Sequence, residues 1–182
     1  VDAAAWCRDE LPGDRGLLRR IDGPALDVGC GPGRLTAALA RAGRPALGVD
    51  VSGTAVRLAR CRGAAALRRD VFGPLPGAGR WRHLLLADGN IGIGGDPARL
   101  LGRCRELLAP DGRLHAELAA PGTPLWAGTA RLRHDGGPPS RPFRWATVAT
   151  GDLTGPAAAA GLRVLDTWTE GDRWFATMSC GG

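Results

Sequence analysis

The stretch Ala25–Gly33, ALDVGCGPG, constrains this chain more than any other. Four apolar-rich residues, 25–28, read as a buried strand, and they run directly into glycines at 29, 31 and 33. A helical stripe begins at once: Leu35, Ala38, Leu39 and Ala42 fall at i, i+3, i+4 and i+7, with Gly43 as a stop. Glycine lets a backbone turn sharply and lets a ligand reach the main chain. A strand, a glycine loop and a helix in this order form one unit of an open α/β sheet, whose ligands bind beyond the carboxyl ends of the strands. The dinucleotide fingerprint G-x-G-x-x-G requires a third glycine at position 34, which is Arg. That departure speaks against a pyrophosphate seated on the helix N-terminus. A P-loop is excluded, because the chain has no lysine.

The same alternation continues downstream. Residues 46–49 read as a second strand, and Ser52 caps a helix reaching about residue 62. Residues 65–68 form a third strand. Residues 71–80 hold too many breakers for a helix. Residues 82–87 form a fourth, fully buried strand, followed by the loop DGNIGIGG. Asp96, with Pro97 at the first helical position, starts a helix that buries Leu100, Leu101, Cys104, Leu107 and Leu108. A PDG turn at 110–112 precedes a fifth strand over 113–118. The order so far predicts a parallel sheet covered by helices. Residues 119–151 break the rhythm and hold two strand-like pieces, 129–133 and 143–149. A short helix over 14–20, a weak one over 152–160, and a hairpin of 162–169 with 173–178 complete the pattern.

Three acids, Asp27, Asp50 and Asp70, stand at or near the ends of successive strands and face one crevice if those strands are neighbours. A carboxylate at Asp50 can accept hydrogen bonds from both hydroxyls of a ribose. Three carboxylates suit a cationic, ribose-bearing ligand better than a pyrophosphate. The formal charge is +6. All basic residues are Arg, scattered and without a basic–aromatic stripe, so charge alone does not predict nucleic-acid binding. Five cysteines, an odd number without a C-x-x-C pair, fit free thiols in a reducing cytoplasm rather than a disulfide framework or a zinc site. No metal ligand set is expected. Neither a secretory leader in residues 1–16 nor a membrane-spanning segment is expected, since the apolar run at 84–87 is far too short.

The segments LDVGCGPGRLTAALA, GVDVS, RRDVF, LLLADGN and RELLAPDGRL, in this order over about residues 25–118, resemble the class I S-adenosylmethionine-dependent methyltransferases. The resemblance implies a Rossmann-like, doubly wound, mostly parallel seven-stranded sheet with an antiparallel last strand. It implies one methyltransferase domain over 1–182, with residues 119–151 as an acceptor-binding insertion. S-adenosylmethionine is then the cofactor. Asp27, Gly29, Cys30, Gly31 and Gly33 would hold its methionine portion, Asp50 the ribose, Asp70 and Val71 the adenine, and Ala87 and Asp88 the methyl end, with Val51 a further cofactor-binding residue. Such enzymes often carry a helix between the third and fourth strands, which this chain lacks.

Catalytic roles are less determined. Asp88 would line the methyl site. His134 fits a general base titrating near neutrality, or a solvated loop histidine. Glu117 faces either the crevice or the interior. Trp126 and Trp145 form an acceptor wall or simply pack the insertion down. His83 and His115 read as structural, and Cys30 as a small filler. The Asn-Pro-Pro-Tyr signature of amino-methylating DNA enzymes is absent, and the corresponding region reads ADGN. The expected partner is a small-molecule methyl acceptor, with no nucleic acid and no membrane. Two other readings stay open: a nicotinamide-dependent oxidoreductase, and a non-catalytic S-adenosylmethionine-binding module.

Overall fold

The computed structural model describes residues 8–132 and 140–181. The expected alternation is present: α1 (Asp14–Arg19), β1 (Ala25–Val28), α2 (Arg34–Arg41), β2 (Ala46–Asp50), α3 (Gly53–Cys61), β3 (Ala66–Arg68), β4 (Trp81–Leu86), α4 (Pro97–Leu107) and β5 (Leu108–Leu118). Next come β6 (Trp126–Ala130), β7 (Phe143–Thr147), α5 (Thr154–Ala159), β8 (Leu162–Glu170) and β9 (Arg173–Cys180). The caps act as the sequence predicts. Ser52 accepts from the Ala55 N–H, and Asp96 from the Arg99 N–H at 3.0 Å, with Pro97 opening α4.

Seven strands form one sheet in the order β3-β2-β1-β4-β5-β9-β8. β1 pairs in parallel with β2 on one side and with β4 on the other, so the strand order reverses at β1. β9 runs antiparallel to both β5 and β8. The seven-stranded sheet with its antiparallel last strand is therefore as expected.

Side chains alternate across the sheet, as strand geometry requires. Leu26, Val28, Leu84 and Leu86 join Leu100, Leu101 and Leu107 of α4 on one face. Ala25 and Leu85 join Leu17 of α1 and Leu35 and Leu39 of α2 on the other. Helices thus cover both faces, which is why β1 and β4 read as continuous apolar runs. Among the described residues, no helix is long and apolar enough to cross a membrane.

Two boundaries differ most from expectation, while the absence of a helix between β3 and β4 is as expected. β5 starts at Leu108 rather than 113, and the PDG residues fall inside it. The pairing jumps from Trp81↔Leu108 to His83↔Arg113, so the turn chemistry is absorbed as a bulge on the β5 side. The first insertion strand lies at 126–130 rather than 129–133. Among the described residues it pairs only with β7, in register Trp126↔Thr147 to Ala130↔Phe143. No helix joins β3 to β4. Arg103 of α4 pins that connection, donating to the carbonyls of Val71 (2.9 Å) and Gly73 (2.7 Å).

The two strand histidines are buried and structural. His83 Nδ1 meets His115 Nε2 at 3.1 Å, His83 Nε2 meets Asp22 at 2.7 Å, and His115 Nδ1 meets Thr177 at 3.1 Å. Burial holds His115 down at about 3.

Candidate functional site

The strand order reverses at β1, between β2 and β4, and the carboxyl ends at such a reversal are where open α/β sheets form their ligand-binding crevice. The loop after β1 starts with a shared acceptor: the N–H groups of Gly29 (2.8 Å) and Cys30 (3.1 Å) both donate to the Val49 carbonyl of β2. Gly31 then adopts φ 53°, and among the described residues nothing lies within 4 Å of where its Cβ would stand. Only glycine adopts that backbone at little cost, and here it leaves an open cradle. Gly29 is closed off instead: a Cβ there would lie 2.7 Å from the Asn90 side-chain nitrogen.

The predicted cofactor residues fall into two groups. The first faces solvent near the ends of β2 and β3. Asp50 accepts from the Gly31 N–H at 2.9 Å through one oxygen and from the Ser52 N–H at 2.7 Å through the other. The carboxylate is thus tied to the glycine loop before any ligand arrives. Val51 beside it is 64% exposed, unusual for a large apolar residue. Asp70 is exposed and accepts from the Phe72 N–H at 3.0 Å.

The second group is buried. Asp27 points under α2, where Thr36 donates to it at 2.7 Å, and burial pushes its carboxyl up to about 6 against that hydrogen bond. The Cys30 sulfur rests against Gly48, where a Cβ would come within 2.6 Å. Its thiol is raised by burial, which suits a filler and not a nucleophile. Val71 packs into the core, and so does Ala87. Gly33 ends the loop with φ 82°.

Asp88, just past β4, is the one non-glycine residue among those described with positive φ, at 54°. Its carboxylate receives Arg34 Nη2 at 2.7 and 2.6 Å and Arg173 Nη2 at 3.2 Å. Its N–H donates to Glu117 at 2.6 Å. Arg173 also grips Glu117 at 2.9 and 2.6 Å, Asp14 at 2.8 Å and the Pro12 carbonyl at 2.8 Å. Arg34 closes the ring by pairing with Asp14.

Three carboxylates and two guanidinium groups therefore meet beside the crevice. Burial raises the Asp88 carboxyl, an effect that Arg34 opposes and Glu117 reinforces. Burial disfavours the Arg173 cation, yet Glu117 and Asp14 raise its pKa overall. Glu117 thus joins the crevice cluster.

Beyond Asp88 and Gly89, the chain turns back. Asn90 donates to the carbonyls of Val28 and Gly29, both at 2.9 Å. β7 then packs on this loop: a Cβ on Gly92 would lie 2.0 Å from the Ala146 carbonyl and 2.9 Å from the Trp145 indole nitrogen. Trp126 is 44% exposed on the neighbouring strand. His134 lies outside the described residues.

Sequence reasoning missed Asp14, Arg34 and Arg173 as members of the site. Arg34 carried a signal: a cation in the first turn of α2 opposes the helix dipole, so it needs a compensating partner. Asp14 and Arg173 carried none.

The profile of a methyltransferase domain family matches residues 25–112. Comparison with curated proteins found no match. Among solved structures, an S-adenosylmethionine-dependent methyltransferase from Bacteroides fragilis, in complex with S-adenosylhomocysteine, superimposes with TM-score 0.77 at 21% identity. It covers 100% of this chain and 82% of that one. The CcbJ methyltransferase from Streptomyces caelestis gives 0.71 at 18% identity, over 96% and 94% of the two chains. The 1,6-didemethyltoxoflavin-N1-methyltransferase from Burkholderia thailandensis gives 0.67 at 21%, over 100% and 80%. At these identities the superpositions speak for the fold. The methyltransferase-domain match over residues 25–112 and the fold shared to the end of β9 make the chain similar to the S-adenosylmethionine-dependent methyltransferases.

Proposed function

We propose that this chain binds S-adenosylmethionine at the carboxyl ends of β1, β2 and β4 and transfers its methyl group to a small-molecule acceptor. The observation that carries this reading is Asp50. Its two oxygens stand at the end of β2, fixed by the N–H groups of Gly31 and Ser52, beside the open cradle at Gly31 and the exposed Val51. A carboxylate acceptor beside an exposed apolar side chain fits a ribose and an apolar base. Asp50 would hold the ribose hydroxyls, Val51 and Asp70 with Val71 would border the adenine, and the Gly29–Gly33 loop with Cys30 would hold the methionine portion. Asp27 supports that loop from beneath, through Thr36. Ala87 and Asp88 would border the methyl end.

The bound cofactor supplies an electrophilic methyl group on a sulfonium. The chain's own part is approximation and exclusion of water, with no covalent intermediate on the protein. Asp88 sits where it can orient an acceptor, its carboxylate held by Arg34 and Arg173. His134 is the candidate base for an acceptor that arrives protonated. The chain forms one domain, and residues 119–151, with Trp126 and Trp145, wall the acceptor side. The small-molecule acceptor is supported by the Burkholderia thailandensis fold relative, which was crystallised with bound 1,6-didemethyltoxoflavin. Free thiols at Cys30, Cys61, Cys104 and Cys180 fit a cytoplasmic setting. Position 34 speaks against a nicotinamide cofactor, since it carries a buried Arg paired with Asp14 and Asp88 in place of a small residue.

Calorimetric titration with S-adenosylmethionine, S-adenosylhomocysteine and NAD tests this. The first two bind and NAD does not. Asp50→Ala weakens both by roughly 10- to 100-fold, about 1.4–2.7 kcal/mol, and Asp50→Asn by less. Binding of NAD alone overturns the reading. Cofactor binding without transfer to any of a broad panel of small acceptors favours the non-catalytic module.

A further inference from the structure

The residue after β4 holds a backbone conformation that a side chain rarely adopts, and it does so at the crevice. A left-handed non-glycine residue is strained and persists only where its surroundings over-determine it. Asp88 is over-determined from three directions. Glu117, at the end of β5, takes its N–H at 2.6 Å. Arg34, at the start of α2, takes both carboxylate oxygens. Arg173, the first residue of β9, takes one of them at 3.2 Å.

Of these three partners, Arg173 governs the others. Its Nε and Nη2 hold the two oxygens of Glu117, fixing the carboxylate that accepts from Asp88. Its Nη1 holds Asp14, the second partner of Arg34. The same Nη1 binds the Pro12 carbonyl and so ties the segment ahead of α1 to the turn after β4. The turn in turn aims Asn90, whose side chain covers the Val28 and Gly29 carbonyls beside the glycine loop.

We propose that Arg173 is a positioning residue of the transfer site: it sets the left-handed turn at Asp88, and through it the wall that Asn90 and Asp88 present to the methionine end of the cofactor. It acts through Glu117 and Asp14 and touches no reacting atom. A lysine cannot replace it, because one ammonium cannot serve Glu117, Asp14, Asp88 and a carbonyl in the fork geometry of a guanidinium. The inference rests on the cofactor reading proposed above.

The test combines two readouts on Arg173→Ala, Arg173→Lys and Glu117→Gln, with Arg163→Gln on the exposed face of β8 as control. The first is amide exchange across residues 86–92. The second is calorimetric affinity for S-adenosylhomocysteine. Arg173→Ala and Arg173→Lys raise exchange across 86–92 about tenfold or more, while β1 and β2 stay protected. Affinity drops about tenfold in both. Guanidinium at millimolar concentration restores much of it to Arg173→Ala, and potassium chloride at equal ionic strength does not.

Glu117→Gln loosens the same segment and decides the matter should Arg173→Ala fail to fold. Exchange that rises uniformly over the sheet, or affinity within twofold of wild type in every variant, overturns the proposal. Should wild type not bind S-adenosylhomocysteine, the cofactor reading fails, while the exchange pattern still decides whether Arg173 sets the turn.

Discussion

A guanidinium in the first turn of a helix meets the positive end of the dipole, yet Arg34 is 4% exposed there. Asp14 and Asp88 pay that cost. Removing one member of a buried ion cluster leaves its partners charged and unpaired, at about 3–5 kcal/mol. Arg34→Ala therefore lowers stability by roughly that amount in urea denaturation, and a loss under ~1 kcal/mol would show the cluster to be dispensable. At this scale, legibility follows sequence distance. The glycine loop and Asp50 announce themselves because their chemistry is written in local spacing. The ion cluster joins residues 20 and 159 positions apart, as in Arg34–Asp14 and Arg173–Asp14, and no local pattern marks such a pair. Asp27 was legible by position but not by environment: the pattern put it at a strand end, and only α2 packed above shows that Thr36 covers it.

Elements with their own start signals were read well. Asp96 and Pro97 define the start of α4 without help from the rest of the fold. Asp96→Ala leaves the Arg99 N–H without its acceptor and costs about 1 kcal/mol, measured by urea denaturation. A cost near zero would mean that water serves that N–H equally well. The start of β5 and both limits of β6 differ from the sequence pattern, each for a physical reason. Pro110, Asp111 and Gly112 have turn chemistry, but the neighbouring β4 captures them as a bulge. β6 takes its limits from its partner β7 alone, and the Trp126↔Thr147 register is a cross-strand fact that a single strand's pattern does not contain.

Over the whole molecule, two buried titratable groups pull stability in opposite directions with pH. Asp27 sits at about 6 when folded against an ordinary value of 3.8, so the folded state binds the extra proton between these values. Its contribution makes the protein less stable as pH rises from about 4 to about 6. His115 sits at about 3 against 6.5, so the unfolded state binds the extra proton, and stability falls as pH drops from about 6.5 toward 3. Each slope reaches at most ~1.4 kcal/mol per pH unit, and between about pH 4 and 6 they oppose each other. Urea denaturation across this range should show Asp27→Asn losing stability on acidification more steeply than wild type. His115→Gln should lose less, or gain. Parallel profiles for all three proteins would contradict both assignments. The antiparallel last strand was legible through family resemblance and the strand order was not: alternation predicts a parallel sheet, while β9 between β5 and β8 is a choice of topology.

That choice has a consequence for synthesis. β8 leaves the ribosome before β9, yet it has no place in the sheet until β9 fills the gap between it and β5. Until residues 173–180 emerge, the outer edge of β5 stands open with its hydrogen-bonding groups unpaired, a surface prone to wrong partners. The β8–β9 hairpin therefore docks as a unit. Arg173, the residue at its turn end, arrives with it. Asp14, Arg34, Asp88 and Glu117 are all made earlier and wait for that one cation. The cluster beside the crevice closes in the same step that completes the sheet, so a nascent chain lacking β9 has the glycine loop but not the finished site.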